Sequence, residues 1–221
     1  MRPSLVIWGA SGHARVVADI IRLQGTYEIA GFLEDAPRPR PEASFLGLPV
    51  FGGTEALQTL LARGVRHLIL GFGDGHARLR LASLLRERGF SLATAIHPRA
   101  VVADDARIGE GTVVAAGAVV NPAARVGENV IINTGATVDH DCVIEDGAHV
   151  CPGAHLAGNV QVGRAAWVGI GAAVVERVRI GAGALVGAGA VVVADIPPAV
   201  VAHGVPARII RTLAANEAQG N

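Results

Sequence analysis

Aliphatic residues recur at every sixth position over nearly half of the chain. Counting in sixes from Ile96 to Val192 gives seventeen consecutive aliphatic residues. Four residues after each of them lies a small or β-branched residue, and glycine often follows directly, as at Gly109 and Gly127. A fixed period of six is typical of a hexapeptide β-helix. An ordinary valine-rich sandwich would instead show a period of two with irregular turns.

A different pattern, in which strands alternate with helices, fills residues 1–95. Such alternation predicts a small parallel sheet with right-handed crossovers. The composition of residues 36–41 predicts a surface loop. We therefore expect an α/β domain over residues 1–95 and a β-helix domain with a short tail over residues 96–221. Apolar runs and helical periodicity predict strands over 5–8, 29–33, 67–72 and 91–96, and helices over 16–23, 54–63 and 77–88.

The first predicted helix carries an apolar face. Val16, Val17, Ile20, Ile21 and Leu23 recur at the spacing that places side chains on one side of a helix. We expect this face to pack against the parallel sheet.

Composition and charge exclude several classes of function. The 221 residues include 19 basic and 19 acidic side chains, so a zero net charge argues against nucleic acid as the main partner. All basic residues are arginine, which excludes the lysine of a Walker-type phosphate loop and Schiff-base chemistry. No apolar run is long enough to span a membrane, and no signal-peptide pattern opens the chain. We expect a soluble cytoplasmic protein without a membrane partner.

The six-residue repeat resembles that of the hexapeptide-repeat acyltransferases, whose left-handed β-helix has three hexads in each coil. The resemblance implies the handedness, eighteen residues per coil and about six coils. It also implies a homotrimer with active sites between neighbouring subunits. Residues eighteen apart would then stack about 4.8 Å from each other, which places Gly158 on the coil next to His140.

Within that superfamily, the segment around His140 is similar to the bacterial nucleotide-sugar N-acetyltransferases that carry a Rossmann-like N-terminal domain. The similarity extends from the loop at 9–13 to the tail at 204–208. It implies acetyl-CoA as co-substrate and the 4-amino group of a nucleotide-linked 4-amino-4,6-dideoxy sugar as acceptor. GDP-perosamine is the first candidate and a UDP-linked bacillosamine precursor the second, both in glycan or O-antigen assembly.

The resemblance also implies roles for individual residues. His140 would be the general base, and Asp141 would raise its basicity, although Asp139 could serve instead. Asn133 matches a position near the sugar. Transfer would be direct, without a covalent nucleophile or a metal. The positions that match the acetyl-CoA site are His149, Gly158, Ile170 and Ala188.

A glycine-containing loop between the first strand and the first helix offers backbone N–H groups to a phosphate. Ser11 stands where a dinucleotide fingerprint has its second glycine, which disfavours NAD. The resemblance implies that this loop binds the nucleotide sugar, together with residues that follow the second and third strands. The predicted nucleotide-binding residues are Gly9, Ser11, Gly12, His13, Glu34, Asp35, Gly73 and Asp74.

Several alternatives remain open. Sialic acid O-acetylation would use the same fold with a hydroxyl acceptor, and a non-catalytic nucleotide-sugar-binding protein would not need His140 beside an acid. A zinc carbonic anhydrase of the β-helix type has a histidine pair five residues apart, whereas His149 and His155 are six apart. Either of these two histidines could also be an ordinary surface residue. Cys142 occupies a small inward position, where it would pack rather than react.

Overall fold

The computed structural model describes residues 2–35 and 44–214. The loop predicted over residues 36–41 lies outside these ranges. The N-terminal part contains a six-stranded sheet with helices on both faces. Its elements are β1 (Ser4–Trp8), α1 (Gly12–Gln24), β2 (Glu28–Glu34), β3 (Ser44–Phe45), β4 (Leu48–Gly52), a 3-10 turn (Thr54–Ala56), α2 (Leu57–Ala62), β5 (His67–Leu70), α3 (Gly75–Glu87) and β6 (Ser91–Leu92).

The sheet has the strand order β3-β4-β2-β1-β5-β6 and is parallel except for the short hairpin between β3 and β4. This confirms the predicted parallel sheet, because buried strands joined by helices pair side by side. The hairpin was not predicted. Helix α1 covers one face, with Val17 and Ile21 against Ile7, whereas α2 and α3 cover the other, with Leu60 and Leu85 in its core.

A left-handed parallel β-helix follows. It is built from seventeen two-residue strands, one for each predicted hexad. They are β7 (Ala95–Ile96), β8 (Val101–Val102), β9 (Arg107–Ile108), β10 (Val113–Val114), β11 (Val119–Val120), β12 (Arg125–Val126), β13 (Ile131–Ile132), β14 (Thr137–Val138), β15 (Val143–Ile144), β16 (His149–Val150), β17 (His155–Leu156), β18 (Gln161–Val162), β19 (Trp167–Val168), β20 (Ala173–Val174), β21 (Arg179–Ile180), β22 (Leu185–Val186) and β23 (Val191–Val192).

Each strand pairs with the strand three positions later, at a register of eighteen residues, as Ile131 does with His149. Three flat sheets result. Sheet I begins with β7, sheet II with β8 and sheet III with β9. The second residue of each strand points inward, and from Val114 onward these residues are buried in one continuous core. The hairpin of β24 (Val200–Gly204) and β25 (Ala207–Thr212) extends sheet I at its far end.

The turns between the three sheets repeat one strained backbone conformation. From Gly111 to Gly189 every sixth residue has a positive φ, and most of these residues are glycine. Asp141, with φ of +58°, is one of the exceptions. Aspartate tolerates this left-handed region better than most side chains, so the turn can carry a functional carboxylate there.

Two local predictions were wrong. The strand predicted over 91–96 is two separate strands, because β6 ends the N-terminal sheet and β7 begins sheet I. In α1, Val16 is 37% and Leu23 54% exposed. At about 100° per residue these two side chains lie more than about 100° from the centre of the buried stripe through Val17 and Ile21. Among the described residues, every helix is too short or too polar to cross a lipid bilayer.

Helix α1 joins the two parts of the molecule. It lies between the N-terminal sheet and the outer face of sheet I, where Ala95, Val113 and Ile131 belong to the same buried cluster as Val17. Outward positions of sheet I, which would otherwise face water, are therefore buried near its start. This contact decides the surroundings of His149, the next outward residue on the same sheet.

Candidate active site

His140 and Asp141 lie in the turn that connects sheet II with sheet III. The His140 Nδ1 and Asp141 Oδ2 atoms are 2.8 Å apart, and both side chains are about half exposed. An ionised carboxylate only accepts hydrogen bonds, so Nδ1 carries the proton in this pair. The Nε2 atom of the neutral ring is then unprotonated and can act as a base.

Asp139 has a different role from Asp141. Its Oδ1 atom accepts hydrogen bonds from the His140 backbone N–H at 2.7 Å and from Asn121 Nδ2 at 2.9 Å. Asp139 therefore fixes the turn, whereas Asp141 contacts the imidazole. The hydrogen bond to Asp141 is the main cause that raises the pKa of His140. The bond from the His140 backbone is the main cause that lowers the pKa of Asp139.

The ring of His140 lies over Gly158 on the next coil, as the stacking predicted. A Cβ atom at Gly158 would be only 2.6 Å from His140 Nε2 and Cε1. Among the described residues, no hydrogen bond uses the Gly158 N–H, whereas its carbonyl accepts from Arg177. An imidazole beside a free backbone donor can supply a general base and an oxyanion donor for acyl transfer.

Cys142 follows the turn that carries His140 and Asp141, and it points into the β-helix core. Its Sγ atom lies 3.2 Å from the Ala157 carbonyl oxygen, and the residue is fully buried. Burial raises the pKa of this thiol, and it raises the pKa of Cys151 to about 12. Both cysteines are free and buried.

A second polar cluster forms where the N-terminal part covers sheet I. His149 is only 5% exposed there, although it occupies an outward strand position. Its Nε2 atom is 3.0 Å from Asn133 Nδ2, its ring centroid is 4.2 Å from that of Trp167, and the ring of His13 is 6.4 Å away. Because an amide nitrogen only donates, Nε2 of His149 is the acceptor.

The two histidines of this cluster are neutral. Burial, reinforced by the charge of Arg78, lowers the pKa of His13 to about 4. Burial also lowers the pKa of His149 to about 3, again assisted by Arg78. At neutral pH both rings therefore offer one donor and one acceptor nitrogen to a neighbouring group.

The glycine-containing loop adopts the predicted strand-to-helix position. Gly9 has a φ of +120°, and a Cβ atom there would be 3.0 Å from the Gly71 carbonyl oxygen, so glycine is needed for the close approach of two loops. Ser11 caps α1 without a side-chain hydrogen bond, and Gly12 has open space around its Cα. Both residues are exposed and accessible to a phosphate.

The other predicted nucleotide residues have partners within the protein. Asp35 Oδ2 accepts a hydrogen bond from Trp8 Nε1 at 3.1 Å, directly after Glu34 at the end of β2. Asp74 Oδ1 caps α3 by accepting from the Ala77 N–H at 2.9 Å. Gly73 faces the rings of Trp167 and His149, because a Cβ atom at Gly73 would lie 3.6 Å and 3.9 Å from them.

Ile170 and Ala188 are exposed and stack at the corner between sheet I and sheet II. The Gly189 N–H donates to the Ile170 carbonyl, which fixes their relative position. Asn133 lies at the same corner, two coils before Ile170. His140 lies at the following corner, between sheet II and sheet III. Thus the structure groups Asn133 with His149 and His13, and it groups His140 with Gly158.

Sequence reasoning missed Arg78 and Trp167, which both contact this histidine cluster or its loop. Arg78 is 1% exposed in α3. It shares the buried stripe of that helix with Ala82 and Leu85, at the spacing of an apolar face. A charged residue on the apolar face of a helix was the sequence feature that could have indicated a buried functional side chain. Trp167 also lines a cavity of about 320 Å³. The other lining residues include Asp74, His76, Leu185, Arg211 and Leu213.

Comparisons with known proteins agree with this architecture. Residues 4–85 match the PglD N-terminal domain family, and residues 123–158 match the bacterial transferase hexapeptide (six repeats) family. UDP-N-acetylbacillosamine N-acetyltransferase of Bacillus subtilis is 37% identical over 115 residues. That match spans 51% of each chain, so it covers about half the length of this curated relative.

Solved structures extend the similarity to almost the whole chain. PerB from Caulobacter crescentus, in complex with CoA and GDP-perosamine, is 44% identical with a TM-score of 0.88. The match covers 93% of this chain and 96% of that one. The acetyltransferase domain of PglB from Neisseria gonorrhoeae, in complex with acetyl coenzyme A, is 39% identical with a TM-score of 0.88, over 95% and 100% of the two chains. The chain therefore belongs to the hexapeptide-repeat N-acetyltransferases that carry a PglD N-terminal domain.

Proposed function

We propose that this protein transfers the acetyl group of acetyl-CoA to the 4-amino group of a nucleotide-linked 4-amino-4,6-dideoxy sugar. The observation that carries the proposal is the His140–Asp141 pair, whose ring lies over the Gly158 backbone. The 44% identity to an enzyme that binds GDP-perosamine supports GDP-perosamine as first acceptor. A UDP-linked bacillosamine precursor is the second, in line with the Bacillus subtilis relative.

In this reaction the sugar amine attacks the thioester carbonyl, so that a C–N bond forms and the C–S bond breaks. The amine must lose a proton, and His140 Nε2 accepts it because Nδ1 is already bonded to Asp141. The resulting imidazolium is stabilised by the neighbouring carboxylate. The proton then passes to the departing CoA thiolate, and no covalent enzyme intermediate is required.

The developing oxyanion of the thioester needs a hydrogen-bond donor. Gly158 packs against the His140 ring, and its N–H has no backbone acceptor among the described residues. We assign it this role. The same protein fold would thereby hold the base and the oxyanion donor on adjacent coils, at a fixed separation.

Acetyl-CoA would extend along the corner that carries Ile170 and Ala188. That corner and the His140 corner are separated by sheet II of the same chain. The family resemblance implies a homotrimer with active sites between neighbouring subunits, in which the substrate would bridge such a corner and the His140 corner of another subunit. The Gly9–His13 loop would bind the nucleotide phosphates, with Asn133 in the same pocket. The resemblance assigns His149 to the acetyl-CoA site, but because its ring lies beside Asn133 and His13 we assign it to the nucleotide-sugar pocket instead. Sedimentation equilibrium tests the trimer directly.

The test is release of CoA thiol from acetyl-CoA, measured separately with GDP-perosamine and with a UDP-linked 4-amino-4,6-dideoxy sugar. We expect turnover with one acceptor and its loss in His140→Asn, a substitution that removes Nε2 but keeps a polar side chain. His67→Asn is the matched control, because His67 contacts Tyr27 on the N-terminal sheet and lies outside the proposed site. That variant should retain wild-type turnover.

Other outcomes separate the alternatives. Turnover that persists in His140→Asn would contradict His140 as the base but leave the acetyltransferase in place. Histidine variants of the Caulobacter crescentus enzyme were solved with CoA and GDP-perosamine, so an inactive variant here can also be tested for ligand binding. Absence of turnover with both sugars, together with activity on sialic acid, would favour O-acetylation. Nucleotide-sugar binding without any transfer would favour a non-catalytic role.

A further inference from the structure

Arg78 is a buried cation that bridges the two parts of the molecule through backbone carbonyls. Its guanidinium donates to the carbonyls of Phe72 and Gly73 in the loop after β5. On the other side it donates to Asn129 at 3.0 Å and to Gly147 at 2.8 Å, in two successive turns of the β-helix. A weaker contact of 3.4 Å reaches the carbonyl of Ala148.

A buried charge without an ion pair is costly unless hydrogen bonds replace its hydration. Among the described residues, no carboxylate accepts a hydrogen bond from Arg78, and Asp74 acts on it only through space. Burial lowers the pKa of Arg78 to about 10, so the side chain is still charged at neutral pH. An arginine presents five N–H donors over a planar fork and can reach carbonyls on two sides, whereas a lysine presents three donors from a single nitrogen.

The loop that Arg78 holds forms one wall of the histidine cluster. Gly73 lies against Trp167 and His149, so a shift of this loop would change the pocket that contains both histidines. The same guanidinium is close enough to His13 and His149 to oppose a positive charge on either ring. The loop that Arg78 holds and the charge of its guanidinium therefore both affect His13 and His149.

We propose that Arg78 is a positioning residue for the nucleotide-sugar pocket: it fixes the loop at Phe72 and Gly73 against the β-helix and so holds the wall that encloses His13 and His149. This inference rests on the proposed function for its effect on substrate binding. The effect on the histidines can be measured without any turnover. Arg78 itself touches neither substrate nor the reacting atoms in this scheme.

The electrostatic surroundings of the two histidines are simple. Burial is the larger influence on each ring, and Arg78 of α3 is the charged side chain that acts on both of them. His13 on α1 and His149 on β16 also face each other. Asn133 and Trp167 complete the wall as uncharged groups. Removing the Arg78 charge should therefore change both rings in the same direction.

The experiment compares Arg78→Met and Arg78→Lys with the control Arg86→Met. Arg86 is on the same helix and also bridges to the β-helix, through Glu128 and Glu110, but at the surface. The full-length protein is used. Imidazole resonances of His13 and His149 are titrated by NMR, and KM is measured for GDP-perosamine and for acetyl-CoA.

In Arg78→Met we expect the pKa values of His13 and His149 to rise above those of the wild type but to stay below 6.5, because burial is the larger cause of their low values. KM for the nucleotide sugar should rise by about tenfold to a hundredfold, with a smaller change for acetyl-CoA. Arg78→Lys should preserve the low histidine pKa values but not the nucleotide-sugar KM. Arg86→Met should change neither quantity.

Unchanged histidine titration and unchanged nucleotide-sugar KM in a folded Arg78→Met protein would overturn the proposal. If both Arg78 variants fail to fold, the wild-type titration alone decides, because histidines that titrate near 6.5 would contradict the enclosed pocket that Arg78 is proposed to hold in place. A further outcome separates the two proposals. If the wild type transfers no acetyl group, the proposed function is contradicted. If the histidine pKa values are raised in Arg78→Met but stay low in Arg78→Lys, the role of the Arg78 charge is still supported.

Discussion

The imidazole of His140 occupies the space that any side chain at position 158 would need. Gly158 is the residue directly across on the next coil, and its missing Cβ allows the ring to lie within contact of the backbone. The register of eighteen residues fixes this relationship, because adjacent turns stack as closely as adjacent strands.

Gly158→Ala should reduce kcat/KM by about a hundredfold or more, because the new methyl group displaces the base from its position. Its φ is not in the left-handed region, so the chain should still fold. Thiol release and thermal unfolding would be measured together. Gly52→Ala is the control, since a Cβ atom at Gly52 meets nothing within 4 Å. Wild-type activity in Gly158→Ala would contradict the stacking of the base on this glycine.

Asp141→Asn should shift the acidic limb of the kcat/KM profile to lower pH. The base must be unprotonated, so this limb reports the pKa of His140, which the hydrogen bond to Asp141 raises. A weaker base should also lower the maximum rate by about tenfold. Asparagine tolerates the positive φ at position 141, which preserves the turn.

Asp139→Asn provides the comparison for this pH experiment. Asp139 bonds to the His140 backbone and to Asn121 rather than to the ring, so the limb should move less than in Asp141→Asn. A larger shift in Asp139→Asn would show that Asp139, not Asp141, tunes the base.

The neutral histidine cluster should make the fold sensitive to acid. His13 and His149 have pKa values of about 4 and about 3 when folded, against 6.5 as the ordinary value. Above pH 6.5 neither state binds these protons, so their contribution to the stability is fully present. As the pH falls below 6.5, the unfolded chain takes up two protons that the folded chain does not, and stability is lost.

The expected slope is at most about 2.7 kcal/mol per pH unit between pH 6 and pH 4, since each proton contributes about 1.36 kcal/mol. Urea unfolding at a fixed protein concentration measures it. His149→Gln should reduce this slope by roughly half, because glutamine has no ionisable proton in this range. Equal slopes in the wild type and in this variant would mean that His149 is not buried as a neutral ring.

Cys142→Ala should leave kcat within about twofold, because the sulfur packs in the core and direct transfer needs no thiol. Loss of the sulfur should cost roughly 1 kcal/mol of stability. In the wild type, neither Cys142 nor Cys151 should react with iodoacetamide at pH 8 until the protein unfolds, since burial raises the pKa of both thiols. A trapped acetyl-cysteine would contradict direct transfer.

The sequence by itself determined the repeating architecture. Aliphatic residues at period six can be buried together only if successive coils stack, so the inward column from Val114 to Val192 followed from spacing alone. The placement of Gly158 beside His140 also needed the coil length of eighteen residues, which the resemblance to the hexapeptide-repeat acyltransferases implied. The local pairing of His140 with an adjacent acid could also be predicted, since neighbours in a turn are close in any fold.

The tertiary structure decided which outward residues are buried. His149 occupies a strand position that faces solvent in an isolated β-helix, and only the packing of α1 and the loop at Gly73 encloses it. The burial of Arg78, its bonds to carbonyls in both parts of the chain and the low pKa values of His13 and His149 follow from that contact. Sequence periodicity describes each part alone, whereas desolvation depends on the surfaces that meet when the two parts pack.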